Sequence, residues 1–107
     1  MEKLELYRDG ATLHILGQVD GRGTADLRDA IRTQLDLYEG DVVLDVAEVE
    51  SVDLLALRTI AVASREAMLH GQRVLLRDCP PMFRRLLHLS HLRALVTYES
   101  EPSSAAV

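Results

Sequence analysis

The sequence has little of several things that would announce a function. It holds one cysteine, no tryptophan, one phenylalanine and three tyrosines. A lone Cys79 excludes an internal disulfide and any multi-cysteine metal site, and it fits a reducing compartment. So few aromatics cannot build a stacking platform for bases or sugars. No Gly-rich phosphate loop of either common type occurs. Basic charge is also short: twelve Lys and Arg against seventeen acids leave a net charge of −5. Duplex binding needs a basic stripe that neutralises phosphates, so nucleic acid is not expected as a partner. No uncharged run reaches the ~18 residues that a membrane span requires, so direct membrane insertion is not expected either. Met1-Glu2-Lys3-Leu4-Glu5 lacks the apolar core of a signal peptide, which makes the cytoplasm the expected location.

What is present suffices for one globular domain. The chain has 107 residues, 48% of them hydrophobic and 27% charged, a composition unlike that of a disordered segment. Leu4 and Leu6 alternate with Glu5 and Tyr7, and β-favouring residues continue over 11–16 after the turn signal Asp9-Gly10. This predicts an opening β-hairpin. Leu27, Ile31, Leu35 and Tyr38 then recur at helical spacing, with Thr24 as N-cap, Asp26 in the first turn and Gly40 as the stop. Val42-Val43-Leu44 and Val46 form the nearly continuous apolar run of a strand covered on both faces. A second helix carries Leu54, Leu57, Ile60, Ala61, Ser64, Ala67 and Met68 on one face, and Gly71 closes it before a strand over 73–77. Pro80-Pro81 opens a short third helix with Phe83, Leu86, Leu87 and Ser90 inward, followed by a last strand over 94–98. The order ββαβαβαβ calls for right-handed crossovers and a mixed, mostly parallel sheet of four to five strands. The expectation is an α/β sandwich over 1–98 with a flexible tail over 99–107.

Gly17-Gln18-Val19-Asp20, Val42-Val43-Leu44-Asp45-Val46 and Val49-Glu50-Ser51-Val52-Asp53 follow in order and spacing a pattern that resembles the STAS domain of anti-sigma factor antagonists. Arg85-Leu86-Leu87-His88-Leu89 is similar to that family's third helix, so the resemblance covers about 3–98. It implies a STAS-like sandwich and a small regulatory domain that binds an anti-sigma factor, a serine kinase of the histidine-kinase-like ATPase type. In that family a Ser or Thr at the start of the second helix is phosphorylated by the same kinase, and the modified form lets go. Here the family's Asp-Ser-Ser/Thr-Gly-Leu reads Asp53-Leu54-Leu55-Ala56-Leu57. Leu55 has no hydroxyl, so phosphoryl transfer at that position is chemically impossible. Thr59 or Ser51 is the fallback acceptor. His91 also replaces a customary Gly after the third helix, a position that favours left-handed backbone.

On a helical wheel Leu55, Thr59, Val62 and Glu66 fall opposite the core stripe. Leu55 either tucks under a neighbouring loop or belongs to a docking stripe, and burying a leucine at an interface is worth ~1.5 to 3 kcal/mol. The expected partner contact takes in Asp20, Gly21, Asp53, Leu54, Leu55, Arg58, Thr59 and Val62. Asp20 and Asp53 are candidates to sit together at the sheet end, one after the hairpin's second strand and one before the second helix, yet no nucleophile, His or metal cluster accompanies them, and Asp53 has a sufficient role as an N-cap. His88 and His91 lack a third metal ligand, and Cys79 lacks an activating base. The segment over 26–53 holds nine acids and two arginines, whereas that over 77–93 holds four arginines, two histidines and one acid; either run is a solvated helix face, or the acidic one steers a basic partner surface toward the contact. These features call for a non-enzymatic binding domain with no cofactor. The alternative is a structural STAS subunit of a signalling scaffold or a membrane-transport complex. Oligomeric state is not legible. Titration with ATP or GTP should give no saturable micromolar binding by the isolated protein; such binding would contradict the assignment.

Overall fold

The computed structural model describes residues 3–99. Strands β1 (Glu5–Asp9) and β2 (Thr12–Val19) form the expected antiparallel hairpin, with Gly10 at a φ of 60° in the turn. β2 alternates strictly, burying Leu13, Ile15 and Val19 on the helix-covered side. It is also the hub of the sheet. Its first half pairs in parallel with β3 (Val42–Asp45), and its second half pairs in parallel with β4 (Val49–Val52). The partner changes between His14 and Gly17, and a bulge between Gly17 and Gln18 then shifts the register against β4. Gly17 takes a φ of 86°, and a Cβ there would run into the Lys3 carbonyl oxygen, so only glycine fits.

Beyond β3 the sheet continues with β5 (Val74–Arg77) and β6 (Thr97–Tyr98), both parallel, giving the order β1-β2-β3-β5-β6 with β4 beside β2. The mixed, mostly parallel α/β sheet matches the expectation. The element order gains one strand, β4, making it ββαββαβαβ. β4 has four residues, of which only Val49 is fully buried, too short and polar a run to register as a strand. The last strand is likewise shorter than expected: Arg93–Leu95 form a 3-10 turn, and only Thr97–Tyr98 pair.

Helix α1 (Thr24–Leu37) buries Leu27, Ile31 and Gln34. Gln34 earns its place in the core by donating to the Gly10 carbonyl at 2.9 Å, which ties the helix to the hairpin turn. Thr24 is not the N-cap but the first helical residue, its hydroxyl donating to the Gly21 carbonyl at 3.2 Å; Gly23 takes the cap position. Tyr38 is the extended C-cap rather than part of the core stripe.

Helix α2 (Leu54–Leu69) packs Ala56, Leu57, Ile60, Ala61, Ala63, Ser64 and Ala67 inward. The predicted stripe is right in angle but too long: Leu54 and Met68, in the first and last turns, are 43% and 62% exposed. Gly71, at a φ of 80°, ends the helix, its N–H bonding the Met68 carbonyl at 3.1 Å while the Gln72 N–H bonds that of Ala67 at 2.9 Å. Helix α3 (Pro81–Leu89) buries Phe83 and Leu87 and ends in the same way, with His91 at a φ of 62° in the position where its sequence stood out.

Glu99, the first residue of the expected tail, is held: its N–H bonds the Leu76 carbonyl at 2.8 Å and its carboxylate accepts two bonds from Arg77 at 2.7 and 2.8 Å. The rest of that tail lies outside the described residues. Leu44, Leu57 and Ile60 are wholly buried between sheet and helix. Leu57→Ala should therefore cost ~2 to 5 kcal/mol in a denaturant melt, and a loss below about 1 kcal/mol would contradict this packing.

Candidate functional site

β2 and β4 finish side by side, Val19 opposite Val52, and the Asp53 N–H bonds the Val19 carbonyl at 3.1 Å. Two aspartates begin the next elements from this edge. Asp20 caps a 3-10 turn, Gly21–Gly23, and Asp53 caps α2. Asp53 uses one carboxylate oxygen on the Ala56 N–H at 2.9 Å and the other on the Gly21 N–H at 3.0 Å. Asp20 accepts from the Arg22 N–H at 3.0 Å and from the Arg22 guanidinium at 2.7 and 3.2 Å. The hydrogen bond from the Arg22 side chain, with that from its N–H, holds the Asp20 carboxyl below its ordinary value of 3.8. Asp20 is thus held by its neighbour Arg22, and Asp53 by donors 3 and 32 residues away, an arrangement that orders two chain segments.

Leu55 follows two residues after Asp53. A Cβ on Gly21 would come within 2.9 Å of Leu55 Cδ1, so the leucine lies directly on the 3-10 turn. It still leaves 56% of its surface exposed. One edge of Leu55 therefore packs on the turn, and the rest faces out. Thr59 donates its hydroxyl to the Leu55 carbonyl one turn back at 2.9 Å, and Val62 is 50% exposed.

Leu55, Arg58, Thr59, Val62 and Glu66 of α2 face Arg28, Ile31, Arg32 and Leu35 of α1 across an open groove of about 270 Å³. Of the expected contact residues, four line this groove, and Asp20, Gly21 and Asp53 sit at the end where Leu55 meets the turn. Leu54 and Ser51 do not line it. Ser51 lies on β4 in a separate groove against α3, with Glu50, Val52, Met82, Arg85, Leu86 and Leu89.

The expected charge of this face is corrected. The acid-rich run over 26–53 does not present its acids to the groove; it presents its only two arginines, Arg28 and Arg32, and Arg58 joins them from α2. Glu66 is the one acid among the lining residues, 3.8 Å from Arg32. A count along the chain misses this because a helix sorts residues by face. Arg28 and Arg32, four apart and flanking the core positions Ile31 and Leu35, were the available signal. Away from the groove, burial pushes the Cys79 thiol up to about 11, leaving it protonated at neutral pH. Among the described residues no helix is long and apolar enough to cross a membrane.

Comparison with known proteins places this geometry. A family model described as Mlab, STAS domain, matches residues 3–97. Among solved structures, the chain is similar to a candidate anti-sigma factor antagonist of Thermotoga maritima, at 16% identity and a TM-score of 0.71 over 96% of this chain and 91% of that one. An anti-sigma factor antagonist from Mycobacterium paratuberculosis matches at 20% identity and a TM-score of 0.68 over 99% and 92% of the two chains. The Bacillus cell fate determinant SpoIIAA, solved in its phosphorylated form, matches at 17% identity and a TM-score of 0.64 over 97% of each. At these identities the structural matches establish the fold.

The double use of Asp53 generates a stability prediction. Asp53→Ala should cost ~1 to 3 kcal/mol by removing the cap and leaving the Gly21 N–H without its acceptor. Asp53→Asn, which keeps an acceptor oxygen for the cap, should lose less. Equal melting points for the two variants would contradict the bridging role.

Proposed function

The chain belongs to the STAS domain family, and from that premise we propose that it is a non-enzymatic, cytoplasmic regulator that binds an anti-sigma factor kinase of the histidine-kinase-like ATPase type and is not released by phosphorylation at the contact. The supporting observation is Leu55, a leucine more than half exposed at the junction of the Gly21 turn and the α1–α2 groove. The solved relative SpoIIAA exists in a phosphorylated form. In this chain the position that corresponds to the family's acceptor is Leu55, which takes no phosphate. A phosphate there would add ~1.5 to 2 negative charges, whereas a leucine adds apolar area that a partner can bury. The substitution favours staying bound over letting go. Asp20, Gly21 and Asp53 form the polar edge of the proposed contact, and Leu54, Leu55, Arg58, Thr59 and Val62 supply its α2 side. Of the two fallback acceptors, Thr59 has its hydroxyl engaged with the Leu55 carbonyl and Ser51 lies in another groove, which speaks against a relocated switch.

The same leucine supports a second reading, a permanent STAS subunit of a signalling scaffold or membrane-transport complex, because a fixed subunit needs no release step. Gene neighbours separate the two: a kinase-like ATPase with a sigma factor for the first, transporter subunits for the second. Binding to the kinase, measured by calorimetry, tests the first directly. Leu55→Asp should weaken the complex roughly thirtyfold or more, the loss of a contact worth ~2 kcal/mol, because it sets an unpaired charge in a desolvated contact. The fold should survive, since an acid in the first turn of a helix is favourable to its dipole. Leu55→Ser should bind less tightly than wild type. A Leu55→Asp variant that is folded and binds as well as wild type would refute the reading.

A further inference from the structure

We propose that the groove between α1 and α2 receives an amphipathic helix of the partner whose apolar stripe is flanked by acidic side chains. The inference deepens the proposed kinase contact and rests on the reading that the exposed face of α2 is where the partner docks.

Shape and composition select the occupant. Leu55, Thr59, Val62 and Glu66 stand at i, i+4, i+7 and i+11, so the α2 wall runs for three turns, roughly 16 Å. Ile31, fully buried, and Ala63 lie along the floor, while Leu55 and Val62 rise from it half exposed and ~10 Å apart. A docked helix repeats its own side chains at i and i+7 over the same distance, so its stripe can meet both anchors. The space, about 270 Å³ and open, lies at or below the ~300 to 1,000 Å³ of a small-molecule site and suits inserted side chains instead.

Charge selects the flanks. The chain carries −5 overall, yet three arginines converge on this groove with a single acid, a local reversal of sign that composition does not explain. Arginine stems cover apolar surface while their forked donors reach outward to carboxylates, which suits the rim of an apolar groove. A basic helix would meet three arginines against two acids, Arg28 lying 3.9 Å from Asp29 and Arg32 3.8 Å from Glu66, an excess of positive charge. An acidic one would be steered in and held in register.

The test uses the full chain and two synthetic twenty-residue helical probes with the same leucine stripe, one flanked by Glu and one by Lys. Fluorescence anisotropy should show saturable, salt-sensitive binding of the Glu probe, with amide shift changes at Arg28, Arg32, Leu55 and Val62. The triple variant Arg28→Glu, Arg32→Glu, Arg58→Glu, checked for folding by circular dichroism, should bind the Glu probe about tenfold or more weakly and the Lys probe better. Failure of both probes to bind, equal or tighter binding of the Lys probe to wild type, or shift changes outside the groove would overturn the inference. The kinase complex separates this from the broader reading. If Leu55→Asp abolishes kinase binding while the triple variant leaves it unchanged, the acidic-helix inference fails and the docking face stands. If the kinase never binds but the Glu probe seats in the groove, the kinase reading fails and the groove assignment stands.

Discussion

The Asp53 carboxylate joins the two chain segments that emerge from the sheet edge. One oxygen caps α2 through the Ala56 N–H, and the other takes the Gly21 N–H from the turn that follows β2. Residues 32 apart in sequence are thereby fixed within one hydrogen bond of each other. The backbone bond from the Asp53 N–H to the Val19 carbonyl continues the β2–β4 ladder to the same point. This junction seats Leu55 on Gly21 and fixes the rotation of α2, and with it which side chains face α1. A Cβ on Gly21 would press on Leu55 Cδ1, the tip of a half-exposed side chain that can turn away.

From that junction the surface chemistry follows. α2 buries Leu57 and Ile60 among five small residues, four of them alanines. Leu55 and Val62 project the other way, toward α1, whose Arg28 and Arg32 stand on the facing wall. The face combines exposed aliphatics, which gain from burial, with cations that select against basic surfaces. On the proposed reading, a hydroxyl at the Leu55 position would make this face reversible by phosphorylation, whereas a leucine would make it a standing apolar contact.

Much of the fold was legible in the sequence because its signals are local. Asp53 before an apolar run marks the start of α2, Gly71 and His91 mark helix ends that need left-handed backbone, and the β-favouring run over 11–16 after Asp9-Gly10 marks the hub strand, which in the structure continues to Val19. β4 escaped because a four-residue strand with one fully buried side chain carries almost no periodicity; its pairing with β2 makes it a strand, and pairing is not local. Half of the candidate site was legible for the same reason. The Leu55, Thr59, Val62 and Glu66 stripe is a property of one helix, read from spacing alone. The arginine rim joins two helices, and the acids surrounding Arg28 and Arg32 in the sequence masked a surface that excludes them.

The central claim is that this STAS domain holds its partner without a phosphorylation switch. The most direct measurement is the intact mass of the wild-type protein after incubation with its cognate anti-sigma kinase and ATP, taken together with the state of the complex by size-exclusion chromatography. The account predicts an unmodified mass and a complex that persists. A stoichiometric phosphate on Thr59, Ser51 or any other residue, with release of the kinase, would contradict it.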